Sequence, residues 1–178
     1  MPDAVYGEFC QWYPSTFTVS KSQLSSLVGH SIEDADTNAD AGSSITFNCA
    51  EQFMMYCKAR RFHDQETQRR VLATDSPKEQ KRLGRWTAGF TDTAWDEVKS
   101  AVVVAGNIAK FAQNPKLKRK LPTTGDRLLV EAASRDRIWG IGYTAKHAMS
   151  HQQHWGENRL GKALMVAREH LRKEEAVQ

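Results

Sequence analysis

Cysteine is scarce in this chain: Cys10, Cys49 and Cys57 are its three, with no CxxC pair and an odd count. That argues against a disulfide framework and agrees with a reducing compartment. No cysteine has an activating base close in sequence. Cys49 and Cys57, beside apolar neighbours, therefore read as small core residues, and no thiol chemistry is expected. No apolar run reaches the length of a membrane-spanning helix, and residues 1–3 lead into a polar, aromatic stretch unlike a signal peptide. The expectation is an intracellular protein, cytoplasmic or nuclear, without membrane association. Neither an internal repeat nor a linker divides the chain, so residues 1–178 are expected to form one domain.

What the chain does carry is 40% hydrophobic and 26% charged residues, the balance of a folded domain and not of a polyelectrolyte. The net charge is +4 with a pI near 9.0, and the excess is clustered in residues 58–61 (KARR), Arg69-Arg70 and residues 116–120 (KLKRK). Such clusters favour phosphate-bearing partners, although each taken singly also fits a solvated helix face.

Residues 6–19 mix aromatics with a Pro14 turn and a β-branched tail, which predicts an irregular segment and then a short strand. Residues 21–43, rich in Ser, Asp and Ala with no steady period, read as a long surface loop or lid. Residues 44–48 (SITFN) alternate like a second strand, and Asn48 is expected to cap a helix starting near Ala50. On that helix Phe53, Met54, Cys57 and Phe62 keep step with a core-facing stripe. Asp64 opens a further helix through Leu72, and Ser76-Pro77 a third, which Gly84 would end. Residues 92–113 are the clearest helix, with Trp95, Val98, Val102, Ala105, Ala109 and Ala112 as its inward stripe.

Asn114-Pro115 stops that helix and starts a short basic one to Leu121. RLLVEAA, residues 127–133, reads as a buried strand, and the alternate glycines of residues 139–143 as a tight turn. A last helix over residues 158–173 turns Leu160, Ala163, Leu164, Ala167 and Leu171 inward. The fold class expected is α+β, mainly α-helical, with short strands near residues 16, 45 and 130.

Four patterns carry candidate chemistry. Glu51 and Lys58 lie two turns apart on one helix edge, about 10 Å along the axis. That is too far for an ion pair and close enough for two long side chains to converge on one ligand. A lysine with a lowered pKa is a nucleophile towards an anomeric carbon, and a glutamate beside it moves protons; a solvated edge is the bland alternative. Asp136, past a strand end and next to Trp139, suits a sugar hydroxyl beside a stacked base, or is simply a surface acid. GENRLGKALM, residues 156–165, has glycines and free amides at the mouth of a helix, fit for pyrophosphate or for plain helix packing. No strand precedes it, which disfavours a Rossmann site. His147, His151 and His154 would share one side of a helix, but no fourth ligand stands near, so no metal is expected.

With these pieces in order, the sequence resembles the NADAR family (NAD and ADP-ribose associated), which includes the YbiA-like N-glycosidases. The resemblance rests on GEFCQWYPSTF, EQFMMYCKARRF, LGR at residues 83–85, KFAQNPKLKRKLPTTGDRLLVEAASRDRIWGIG and GENRLGKALMVAREHL. It implies a single compact, mainly helical YbiA-like domain that hydrolyses N-glycosidic bonds without a cofactor. Substrates of the family divide between ADP-ribose on guanine bases of nucleic acid and phosphorylated riboflavin-pathway intermediates. Glu51, Lys58 and Asp136 look like the family's polar site residues, with Trp139, Gly140 and Asn158 around them. Residues 21–43 look longer than in compact bacterial relatives.

The resemblance implies a mechanism. Lys58 captures the opened sugar as an imine, Glu51 shuttles protons and Asp136 holds ribose hydroxyls. Trp12, Tyr13 and Trp139 offer stacking faces, while Arg85 and the amides from Gly156 through Asn158 to Arg159 face the pyrophosphate. The partner expected is ADP-ribose on guanine in nucleic acid. The alternatives are the flavin-pathway glycosidase and a non-catalytic ADP-ribose reader, which has no need of Glu51 and Lys58 together.

Overall fold

β-Branched and aromatic residues alternate at two places, and strands form there. Phe17–Ser20 (β1) and Ser44–Phe47 (β2) pair antiparallel, Phe17 opposite Phe47 and Ser20 opposite Ser44. The period of two turns Phe17, Val19 and Phe47 into the core. The structure is a computed structural model that describes residues 6–30 and 43–177, and among these residues the sheet has two strands.

Helices make the rest: α1 (Lys21–Leu27), α2 (Ala50–Arg61), α3 (Gln65–Leu72), α4 (Pro77–Arg85), α5 (Asp92–Asp96), α6 (Lys99–Gln113), α7 (Pro115–Lys120) and α8 (Arg159–Val177). At the centre lies α2, packed on α3 and α4 and on α6, which in turn packs on α8. Nine of its twelve residues are buried, so it is not the one-sided stripe expected, and Phe62 is only half-buried. Close approach of its neighbours needs glycine. A Cβ on Gly106 of α6 would come within 2.6 Å of the Phe53 ring, and one on Gly84 would collide with Met55.

Capping follows the expected chemistry at α3 and α4, where Asp64 accepts from Thr67 N at 2.9 Å and Ser76 from Glu79 N at 3.4 Å. Leu160, Ala163, Leu164, Ala167 and Leu171 of α8 are all buried. Elsewhere the expectations need correction. Gly84 does not end α4; it sits in the last turn to admit Met55. Asn48 does not cap α2, because its side chain bonds Asp75 and Gln80 instead, and Cys49 takes the cap position. Residues 21–27 are not loop but the helix α1, capped by Ser20 and anchored by buried Leu24. Of the loop or lid expected over residues 21–43, residues 31–42 lie outside the described residues.

The stretch 92–113 is two helices. At the break Val98 N bonds Trp95 O, which leaves Ala94 O to the Arg61 guanidinium at 3.2 Å. The buried face of α6 is also rotated from the expected stripe: Asn107 and Lys110 lie fully inside, while Ala105, Ala109 and Ala112 are half-covered. Residues 127–133 form no strand, and Leu128 is 57% exposed. Their backbone bonds to side chains of residues 158 and 168 in place of a neighbouring strand: Asn158 donates to Leu129 O and accepts from Glu131 N, and Arg168 donates to Arg127 O. His147, His151 and His154 sit in two 3-10 turns with a non-helical kink at His151, so the helical alignment considered for them does not form.

Candidate active site

Glu51 stands in the first turn of α2 with 5% of its surface exposed. Burial pushes its carboxyl above the ordinary value; Lys81, the Trp12 indole as a hydrogen-bonding neighbour, and Arg85 pull it back only in part. A carboxyl so placed retains its proton to higher pH than a surface glutamate, as a proton donor must.

Lys58 lies two turns on, half-buried, its ammonium 3.8 Å from the centre of the Phe90 ring. Burial lowers its pKa; Asp92 opposes that shift and Arg85 adds to it. Arg85 thus bears electrostatically on both Glu51 and Lys58. Local structure fixes this end of the cleft. Asp64 accepts from Ala88 N at 2.8 Å while capping α3, which holds the turn that carries Phe90. Arg61 donates to Val28 O at 2.8 Å and pairs with Glu97 at 2.5 Å, which anchors α5 and its Asp92. Arg60 donates to Ser25 Oγ at 2.7 Å. Two of the KARR cations therefore tie elements together and are not a solvated face.

Trp12, 41% exposed, reaches Glu51 because the segment before β1 is strapped to α6. Lys110, fully buried, donates to Glu8 O at 2.9 Å and Cys10 O at 2.8 Å; Asn107 donates to the Gln11 side chain at 3.1 Å; and Gln11 O accepts from Glu51 N at 3.1 Å. Tyr13 is half-buried against the core, 5.7 Å from the Lys110 ammonium.

The remaining candidates form a second group. Asp136 accepts from Ile138 N at 3.0 Å and Trp139 N at 2.8 Å through one oxygen, and so folds its own loop. Residues 137–141 and 156–160 run side by side: the amides of Gly156, Glu157, Asn158, Arg159 and Leu160 all donate to carbonyls of that loop. The free amides expected for a pyrophosphate are therefore taken. Gly156 and Gly140 are glycines for close backbone approach, since a Cβ on Gly140 would lie 2.7 Å from Glu131 O and one on Gly156 would collide with Arg137 O. Asn158, at φ +52°, braces residues 129–131. Arg159 pairs with Glu157 at 2.5 Å and Asp96 at 3.9 Å, which links this group to α5. Trp139 packs on the core. No hydrogen bond or ion pair among the described residues joins Asp136 to Glu51 or Lys58.

Sequence reading missed Lys81, Phe90 and Asp92. Lys81 was recoverable, because Pro77, Lys81 and Arg85 recur every four residues along one side of α4. Phe90 and Asp92 were not, since only the turn after α4 brings them to Lys58.

A mainly helical α+β domain thus carries a buried carboxyl and a half-buried amine two turns apart on one helix, residue types fit for acid–base and nucleophilic chemistry. The NADAR domain model matches residues 2–172, and the chain belongs to the NADAR family. N-glycosidase R617 of Acanthamoeba polyphaga mimivirus is 43% identical over 122 residues, 67% of this chain and 72% of that protein. Protein irg-1 of Caenorhabditis elegans is 30% identical over 167 residues, 92% of this chain and 74% of that one. N-glycosidase YbiA of Escherichia coli strain K12 is 33% identical over 116 residues, 65% and 67% of the respective chains. The NMR structure of E. coli YbiA matches the fold with a TM-score of 0.70 at 24% identity, covering 100% of this chain and 85% of that one. The relatives named N-glycosidases support N-glycosidase activity for this domain in general terms. No described helix is long and apolar enough to cross a membrane.

Proposed function

We propose that the chain removes ADP-ribose from guanine bases of nucleic acid by hydrolysing the N-glycosidic bond. The observation that carries this reading is a buried carboxyl, Glu51, and a half-buried amine, Lys58, two turns apart on α2, where burial raises the pKa of the first and lowers that of the second. A reader of ADP-ribose needs neither shift. In the proposed reaction the neutral amine of Lys58 attacks the ribose anomeric carbon as the bond to the base nitrogen breaks. The leaving nitrogen keeps the electron pair and takes the proton of Glu51. Ring opening gives an imine on Lys58, and water, deprotonated by the Glu51 carboxylate, hydrolyses it to release ADP-ribose and restore the amine. Asp136, with one oxygen left by its loop amides, holds ribose hydroxyls, and Arg85 faces the pyrophosphate.

A second reading, the phosphorylated riboflavin-pathway glycosidase, gains from the structure. Of the KLKRK cations, Lys118 pairs with Glu174 and Lys120 with Glu8, so less positive charge is left for a nucleic-acid strand. Incubating the purified chain with ADP-ribosylguanosine oligonucleotide and with the flavin intermediates, and following base release, separates the readings. Release of ADP-ribose from the oligonucleotide is expected; release only from the flavin intermediates selects the second reading, and none from either rejects both.

A further inference from the structure

At the start of α2, where Cys49 precedes Glu51 by two residues, opens a groove of about 560 Å³ that the mechanism above does not use. Trp12 lines it and also meets the Glu51 carboxyl, so groove and acid adjoin. Both α2 and α4 begin at this groove, through Cys49 and Pro77. Moving along α4 in four-residue steps of about 6 Å leads from Pro77 to Lys81, whose charge acts on Glu51, and then to Arg85, whose charge acts on both Glu51 and Lys58. Charge therefore changes along α4. Its far end is cationic, while Asp75 is the single charged residue on the groove wall among the described residues. A pyrophosphate is drawn to the first end and repelled from the second.

Asp75 is also held in place. Asn48 Nδ2 donates to its Oδ1 at 3.0 Å, Asn48 Oδ1 accepts from Gln80 at 3.2 Å, and Gln80 donates to Thr74 O at 2.7 Å. Gln52 accepts from Asn48 N at 2.8 Å and donates to Thr74 O at 3.2 Å. Gln80 and Gln52 are buried, and a satisfied polar network of this kind fixes the side chains that it reaches. The result is a carboxylate acceptor held on a groove that a half-exposed indole also lines.

We propose that this groove is the subsite of the leaving nucleobase, a purine with adjacent imino and amino N–H donors that Asp75 accepts while Trp12 offers a stacking face. The proposal rests on the glycosidase reading and adds the direction in which substrate lies: base on the Asp75 side, phosphates on the Arg85 side. It makes Asp75 the residue that selects guanine over bases without that donor pair.

The test is equilibrium binding of guanosine and 1-methylguanosine to the full chain and to Asp75→Asn, with base release followed in parallel. Guanosine is expected to perturb the NMR signals of the Trp12 indole and the Asn48 amide. Asp75→Asn should weaken it about tenfold or more, while 1-methylguanosine binds poorly to both proteins. Asp75→Ala, which removes the acceptor altogether, should match Asp75→Asn. Turnover of the guanine substrate with guanosine affinity unchanged in both variants overturns the subsite and leaves the glycosidase standing. Guanosine bound in the groove with no base release from any substrate keeps the subsite and rejects the glycosidase.

Discussion

Glu51 costs the fold stability in exchange for a usable proton. Its folded pKa lies above the unfolded value of 4.5, so between the two the native chain holds the extra proton and stability falls as pH rises. Glu51→Gln should abolish that fall and raise stability above that window by about 1 kcal/mol, measured by urea unfolding at two pH values. The same variant should bind ADP-ribose normally and lose turnover by about 10²-fold or more. The parent's kcat is expected to be bell-shaped in pH, with its acid limb above 4.5 from Glu51 and its alkaline limb below 10.5 from Lys58. Limbs at the unshifted values would show that neither group acts. The types of these two residues were legible in the sequence, but their surroundings were not. Nothing local announces that Phe90 arrives at Lys58, because a turn pinned by Asp64 brings it there.

At the level of elements, α6 is the strap that places Trp12. Its inward Asn107 and Lys110 were invisible to an apolar stripe, which discounts polar residues; they are inside because they bond the backbone and side chains of residues 8–11. Burial brings the Lys110 pKa down to about 8. The unfolded chain therefore holds more protons between about 8 and 10.5, and stability rises with pH across that window. Lys110→Met should remove the rise, leave Glu8 O and Cys10 O without their donor, and speed hydrogen exchange of residues 8–13 about tenfold. Exchange unchanged in that segment would show that α6 does not hold it. A capped start, as at α3, and a steady apolar period, as along α8, were readable from sequence. Residues 127–133 were not, because an apolar run does not reveal that side chains of residues 158 and 168 will take its backbone bonds.

Across the whole molecule, the two groups of candidate residues meet at α5. Asp92 in its first turn acts electrostatically on Lys58, and Asp96 at its end pairs with Arg159. The order of motifs along the chain identified the family, whereas the charge gradient from Asp75 to Arg85 arises only when α2 and α4 pack with their starts together. The account stands on Lys58 and Glu51 acting on one sugar. Borohydride added during turnover of ADP-ribosylguanosine, followed by mass spectrometry of the intact and digested chain, tests this most directly. An ADP-ribosyl adduct on the peptide that carries Lys58, absent from Lys58→Ala that remains folded, is the result predicted. An adduct that survives in Lys58→Ala, or that maps to another lysine, would contradict it.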